Sequence, residues 1–420
     1  MTRSAIIVAL ALAARVAAAD IAPGDVISKK NADKVKDLVG PGIMWCIEHG
    51  MTMNIVAPKK VEWPSAYRQA TEQNSGQVRL SADHTKLENY VAGMPFPNID
   101  PNDPDAAMKI MWNYQYKPLI TDDVLMRDFQ VPSGPLTYTA PMVPDREFTV
   151  GDMRRLYYTG RLFVDPKPEM PNPDGIRYKE ITSPVINPFD MKGVGQLSFR
   201  YLSADRQDDT WLYVPAIRRI RRMSTSQRSD SLFGQDTDQD SYWGFSGHIA
   251  WSDWKLLGVK DVLAVMHREH YRPERCPGGA DFVYCDNWEK RQAYVIEGTT
   301  KLSQYAYGKR VLYIDTEAWV VMTSDIYDKR GELWKVWIEF FSYRKQAPDS
   351  HVTYSDEMGF TSAVMIDTQG DHATLIMIPG PASPDTDTWY FNKGPNAVSP
   401  YAPGNNEDVF SVSHLITAGH

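Results

Sequence analysis

The chain has 420 residues, 43% hydrophobic and 23% charged, with 27 Gly, 29 Pro and 48 aromatic side chains. That composition excludes disordered and collagen-like classes and describes a globular protein with enough chain for a large core. Its 45 basic and 53 acidic side chains give a net charge of -8, the wrong sign for a generalist nucleic-acid binder, and the many Gly and Pro favour turn-rich β structure over a helical bundle.

Met1-Thr2-Arg3 is a short basic start, Ser4 to Ala14 is an apolar run, and Ala17-Ala18-Ala19 supplies a small-residue cleavage pattern. This order reads as a secretory signal peptide over residues 1–19, with a soluble mature chain exported from about Asp20. Arg15 cuts the run too short to span a membrane, which takes ~20 apolar residues. Cleavage removes Arg3 and Arg15 and no acid, leaving 43 basic against 53 acidic side chains and a net charge of -10.

Residues 20–150 read as a helical and irregular segment. Ile27, Val35, Leu38, Val39, Ile43 and Ile47 recur at near-helical spacing, and Gly40-Pro41-Gly42 predicts a kink or two short helices. A second helix is expected after Asn102-Asp103-Pro104, with Asp103 as a cap. Proline-rich stretches at 95–104, 132–144, 166–188 and 379–403 predict long irregular connections that cover or gate something.

Residues 151–420 read as the β-rich body, with strands at Arg154–Phe163 and Gly195–Tyr201. The stretch from Asp209 to Met223 is the most distinctive. Read as one strand, it places Arg218 and Arg222 on one face and Arg219 and Arg221 on the other, beside Trp211 and Tyr213. Such arginines either bind an anionic head group or a partner's acidic patch, or pair internally with Asp230, Asp236, Asp238 and Asp240.

Asp236-x-Asp238-x-Asp240 opens like a calcium loop but has Ser241 and Gly247 where Gly and Glu are required, so no metal is assigned. Gly244-Phe245-Ser246-Gly247-His248 narrowly misses the nucleophile elbow, and His267-Arg268-Glu269-His270 lacks the spacing of a zinc motif. No phosphate-binding glycine loop is present, so no cofactor and no catalytic residue are assigned. Cys276 and Cys285 bracket a Gly-containing loop and read as a disulfide in an oxidising compartment; Cys46 reads as a core residue.

The clearest hairpin lies at 309–343, with turns at Asp315-Thr316-Glu317 and Asp328 to Gly331. In its last strand Trp334, Val336, Ile338 and Phe340 form a wholly apolar face, while Leu333, Lys335, Trp337, Glu339 and Phe341 form an amphipathic one. The apolar face is expected to line the hydrophobic concave side of a curved sheet. Trp211, Trp243, Trp251, Trp254, Trp319, Trp334 and Trp337 serve either ordinary packing or the lining of an apolar pocket.

Asp209 to Pro215 followed by Arg218 to Arg222, and Val311 to Asp315 with Trp319 and Tyr327 to Leu333, resemble the LolA/LolB-like superfamily of periplasmic lipoprotein carriers. Pro95 to Pro104 and Ser229 to Asp236 resemble, more specifically, a large uncharacterised proteobacterial branch often found beside RND-type (MMPL) exporters and outer-membrane proteins. The resemblance implies a mainly β fold with α, a half-open antiparallel β-barrel closed by helices, and a non-enzymatic carrier of a lipid or other hydrophobic molecule. Trp211, Tyr213, Arg218, Arg219, Arg221, Arg222, Trp334, Val336, Ile338 and Phe340 are the candidate ligand-binding residues. The alternatives are an envelope assembly factor that binds protein partners, and an exported hydrolase using Ser246 and His248.

Overall fold

The structure is a computed structural model that describes residues 21–138, 140–223, 228–268, 276, 280–343, 358–378, 389–397 and 403–419. The leader read at residues 1–19 lies outside them.

In chain order the first elements are strand β1 (Val26–Ile27), helix α1 (Pro41–Glu48), strand β2 (Met53–Val56) and helix α2 (Ser65–Asn74). The short strands β3 (Arg79–Leu80) and β4 (Leu87–Glu88) pair with each other, and helix α3 (Ala106–Gln115) follows. The long strands then begin: β5 (Asp123–Pro135), β6 (Arg146–Tyr157), β7 (Ile176–Asn187), β8 (Gly195–Tyr201), β9 (Asp209–Val214) and β10 (Arg219–Arg222). Next come β11 (Ser252–Ala264), β12 (Asn287–Thr300), β13 (Lys309–Asp315), β14 (Val321–Tyr327) and β15 (Leu333–Tyr343). The chain ends with β16 (Met358–Asp367), β17 (His372–Met377), β18 (Trp389–Phe391) and helix α4 (Val412–Ala418).

Sixteen of these strands form one sheet in the order β1-β2-β12-β13-β14-β15-β16-β17-β5-β6-β7-β8-β9-β10, with β11 on β12 and β18 on β5. All these strand pairs are antiparallel except β2 on β12. The two ends, β1 and β10, do not pair with each other, so the sheet stays open. The mainly β, half-open architecture expected from the sequence is therefore present. Neither α1 nor any other described helix is long and apolar enough to cross a membrane.

Gly40-Pro41-Gly42 breaks the N-terminal helical stretch: a 3-10 segment at Lys29–Val35 precedes it, and α1 starts at Pro41. A side chain at Gly42 would meet Asp325 Oδ1 at 2.4 Å and Val336 at 2.7 Å, so glycine lets the first turn of α1 lie on the sheet. Buried Asp325 accepts the Gly42 N–H at 3.0 Å and the Tyr313 hydroxyl at 3.1 Å. Helix α3 starts two residues later than expected. Asp103 accepts the Asp105 N–H, and Asp105 holds the capping position.

Sheet strands begin well before residue 150, which falls inside β6. Both faces of β5 are largely buried, so the period-two alternation that marks a half-exposed strand is missing there. Two of the proline-rich connections also contribute strand, because Pro132 and Pro184 fall at positions unpaired with β17 and β8 respectively. Most of the stretch 379–403 lies outside the described residues. The hairpin at 309–343 forms as read, and the Cys276–Cys285 disulfide is made, while Cys46 is buried and free.

Candidate functional site

Strands β5 to β9 carry one face that encloses a cavity of about 170 Å³. Alternation decides which side chains reach it: Phe129 and Val131 from β5, Phe148 and Val150 from β6, Val185 from β7 and Leu212 from β9. The opposite wall is the segment 228–246, which contributes Arg228, Leu232, Phe233, Tyr242 and Trp243. Helix α3 holds that segment in place, the Tyr114 hydroxyl lying 2.6 Å from the carbonyl oxygens of Trp243 and Phe245.

The three aspartates of the calcium-like motif anchor the same segment. Asp236 accepts from His372 and Thr374 on β17, at 2.7 and 2.8 Å. Asp238 accepts the Tyr307 hydroxyl at 2.6 Å, and Asp240 accepts from Arg228 Nε at 2.6 Å and from Tyr305 at 3.0 Å. Spread over five partners, they do not converge on one point. No cluster of metal-binding type occurs among the described residues.

The cavity is graded along the strands. Its apolar part lies toward the end of the sheet where the β5–β6, β7–β8 and β9–β10 connections turn. Exposed apolar side chains gather on those connections: Phe189 (90% exposed), Val143 (75%) and Ile217 (43%). Phe233 lines the cavity and is itself partly exposed.

Toward the other end the lining turns ionic. Arg155 Nε donates to Glu180 at 2.7 Å, and Arg200 Nε donates to Asp208 at 2.6 Å. Arg228, 1% exposed, donates from Nη1 to Asp208 at 2.8 Å and from Nε to Asp240, while its Nη2 is buried without a hydrogen-bond partner. Burial alone would raise the Asp208 carboxyl, but Arg200 and Arg228 outweigh it and hold it below the ordinary carboxylate range. The Tyr178 ring stands among three guanidinium groups, with Arg155, Arg177 and Arg200 at 4.4, 5.4 and 5.6 Å from its centroid.

A polar annex of about 30 Å³ adjoins this end and shares Arg155, Tyr178, Trp243 and Ser246 with the main cavity. Arg177 lines the annex, donates to the Gln115 carbonyl at 3.0 Å and keeps a buried Nε without a hydrogen-bond partner. Lys117 also lines it. Burial pulls the Lys117 ammonium down and pushes the Glu339 carboxyl up, each opposed by the charge of the other.

The arginine stretch is placed differently from the single strand expected. A 3-10 turn at Pro215–Ile217 and a left-handed Arg218 (φ 49°) fold it into the β9–β10 hairpin. Arg218, Arg219, Arg221 and Arg222 are exposed at the free edge of the sheet, and Arg222 pairs with Asp209. None pairs with Asp236, Asp238 or Asp240, whose partners are named above. Arg221 sits opposite Leu212 and thus on the cavity face, outside the cavity itself.

Trp211 and Tyr213 occupy the opposite face of β9, in a cluster with Leu197 and with Leu415 of α4. Val336, Ile338 and Phe340 pack against Ile43 and Ile47 of α1, and Trp334 stacks edge-on against Tyr307. None of these six lines the cavity. Val336, Ile338 and Phe340 are dry packing in the cluster that holds α1. Trp334 departs from the expected face and joins Trp337 on the other side, with Leu333 taking its place, because the ladder shifts register beside Tyr327. The amphipathic face carries Trp337 and Phe341 into the cluster that includes Phe148, Val150 and Ile376. The cavity residues on β5, β6 and β7 escape sequence reading because those strands show no clean alternation.

Ser246 and His248 do not face each other. The Ser246 hydroxyl donates to the Tyr242 carbonyl at 2.6 Å, whereas His248 Nδ1 accepts the Ala250 N–H and Nε2 lies 3.2 Å from the Leu202 carbonyl. Burial, then the charge of Arg200, pull the His248 imidazole down to about 4. His267 pairs with Glu289 at 2.7 Å, and His270 lies outside the described residues.

A family model described as a protein of unknown function, DUF1329, matches residues 26–405. The chain belongs to the DUF1329 family. A DUF1329 chain of this kind is 23% identical over 331 residues to uncharacterized protein PA3922 of Pseudomonas aeruginosa, covering 74% of this chain and 67% of that one. Among solved structures, a domain named for outer membrane lipoprotein sorting, from Vibrio parahaemolyticus, aligns with TM-score 0.46 and 15% identity over 73% of this chain and 97% of that one. A DUF1329 protein of Desulfovibrio piger aligns with TM-score 0.42 and 15% identity, over 70% and 92% of the two chains. A LolA superfamily protein of Nitrosomonas europaea aligns with TM-score 0.38 and 13% identity, over 73% and 98%. The large uncharacterised family read from the sequence motifs is thus DUF1329.

Proposed function

We propose that this protein is a periplasmic, non-enzymatic binding or carrier protein for a hydrophobic molecule, held in the cavity between β5–β9 and the segment 228–246. The observation that supports it most is the cavity itself: an apolar space walled by Phe129, Val131, Phe148, Val150, Val185 and Leu212, graded into buried arginines. Its volume of about 170 Å³ is close to that of an engineered apolar cavity of ~150 Å³ that binds benzene. It falls below the ~300 Å³ at which drug-sized ligands are enclosed. A single ring or a short alkyl segment fits inside. A longer acyl chain extends past Phe233 toward the exposed apolar side chains at that end, and a whole sterol-like skeleton is not enclosed. Burial of a chain at ~25 cal/mol per Å² supplies the driving force. In this reading the carrier exchanges its ligand with an RND-type envelope transporter or an outer-membrane protein, the partners implied by the family resemblance.

Native mass spectrometry and organic extraction of the purified mature protein test the proposal, together with uptake of a fluorescent fatty acid. A co-purifying lipid or saturable uptake is expected; neither lipid nor uptake would sink it.

A second reading, an assembly factor that binds protein partners, is favoured by the full burial of Trp337 and Trp389 in the cluster that also holds the cavity residues Phe148 and Val150. Capture of an envelope protein by a chain that takes up no hydrophobic probe would select it. For the hydrolase alternative, turnover of an ester substrate is the measurement, and Ser246→Ala shows whether that hydroxyl is the nucleophile.

A further inference from the structure

The ionic end of the cavity is built more elaborately than a site for a purely apolar ligand requires. Burying guanidinium groups costs several kcal/mol per ion unless carboxylates and hydrogen bonds compensate. Four arginines converge around Tyr178 and the adjoining wall: Arg155, Arg177, Arg200 and Arg228. Three carboxylates face them, Glu180, Asp208 and Asp240, each in contact with Arg155, Arg200 or Arg228.

Arg177 makes no ion pair with a carboxylate among the described residues, so the cluster carries one uncompensated positive charge. The other ionisable groups nearby do not cancel it. His248 is turned away, bonded to Leu202 and Ala250, and Lys117 and Glu339 offset each other. Two donor atoms also remain without partners at this end: Arg228 Nη2, on a side chain 1% exposed in the wall of the main cavity, and Arg177 Nε, in the wall of the adjoining annex. A buried donor left unsatisfied is unfavourable, and a charged acceptor is the group that satisfies it best.

We propose that the ligand is an amphiphile with a singly charged acidic head group, a carboxylate or a phosphate diester, seated where the annex meets the main cavity, between Arg177 and Arg228, with its chain against Phe148 and Val150. This rests on the reading of the cavity as a binding site and adds the chemical class of the head group. One negative charge balances the one unpaired arginine. Its oxygens accept from the two open nitrogens, and the grading of the cavity sets the direction, head at the Tyr178 end and chain toward Phe233.

The test uses one chain length with four head groups, octanoate, octyl methyl phosphate, octan-1-ol and octylammonium, titrated by calorimetry into the full mature protein at pH 7. Octanoate is expected to bind at least about tenfold more tightly than octan-1-ol, since hydrogen bonds to charged groups are the strong ones. Arg177→Gln should shrink that ratio severalfold. Because Arg177 has no carboxylate partner, this variant strands no buried acid; Arg228→Gln, checked for folding by circular dichroism, is the second variant. Octyl methyl phosphate binding as tightly as octanoate, or more so, supports the site and assigns a phosphate diester head. Equal affinity for acid and alcohol, or a preference for octylammonium, overturns the head-group assignment and leaves the apolar cavity standing. Failure of all four to bind overturns both.

Discussion

Two regions of the same sheet bury apolar side chains for different ends. At β15, Val336, Ile338 and Phe340 meet Ile43 and Ile47 of α1, and all five are at most 2% exposed. At β5–β9, Phe148, Val150 and Val185 face a space instead of a helix, and the far end of that space holds buried ions. A continuous apolar strand face is therefore a poor marker of a ligand cavity here. It marks the place where a helix docks, because close packing leaves no room. The cavity is found where large apolar and buried charged groups share one wall.

If β15 is pure packing, Phe340→Ala should lower unfolding stability by about 3–5 kcal/mol in urea titration and leave the affinity for a hydrophobic probe unchanged in the fraction that stays folded. A loss of affinity alone would blur the distinction.

The contact of α1 with the same region carries a pH signature. Burial, opposed by hydrogen bonds from Tyr313 and Gly42, raises the Asp325 carboxyl to about 6. Its folded pKa lies above its unfolded value of ~3.9, so its favourable contribution is complete below that value and is lost as pH rises through about 6. Asp325→Asn keeps an acceptor for Gly42 and should remove up to about 3 kcal/mol of that pH dependence between pH 4 and 7. Parallel stability–pH curves for the variant and the parent would contradict it.

Gly42→Ala places a Cβ against Asp325 and Val336 and should cost about 1–3 kcal/mol, read as a lower urea midpoint. Cavity filling should behave in the opposite way. Val185→Phe projects into free volume, so stability should rise by about 0.5–2 kcal/mol, while uptake of a fluorescent fatty acid falls at least tenfold. Unchanged uptake would move the binding site away from β5–β9.

Several elements were legible in the primary structure. The hairpin at 309–343 and β8 show period-two alternation and clear turn residues, and Gly40-Pro41-Gly42 interrupts the helical pattern for a local, steric reason. The disulfide follows from two cysteines bracketing a short Gly-containing loop. Other features were not legible. The turn inside 215–218 depends on a left-handed Arg218, a conformation uncommon for a side chain of that kind, so the stretch reads as one strand. The partners of Asp236, Asp238 and Asp240 lie as much as 138 residues away, on Arg228, Tyr305, Tyr307, His372 and Thr374, and no local pattern announces such pairs. Strands β5 and β7 contain prolines and carry burial on both faces, which hides their period.

By itself, the sequence determined the class of molecule: an acidic, β-rich chain with a readable leader pattern, a disulfide loop and one unmistakable hairpin. Those properties rest on composition and on contacts a few residues apart. Only the tertiary structure decided that the apolar face of β15 lies under α1, that the arginines of 218–222 stand at an open edge, and that Arg155, Arg177, Arg200 and Arg228 converge at the end of a cavity. Each of these depends on which distant strand comes to lie beside which, and that is settled by the packing of the whole sheet.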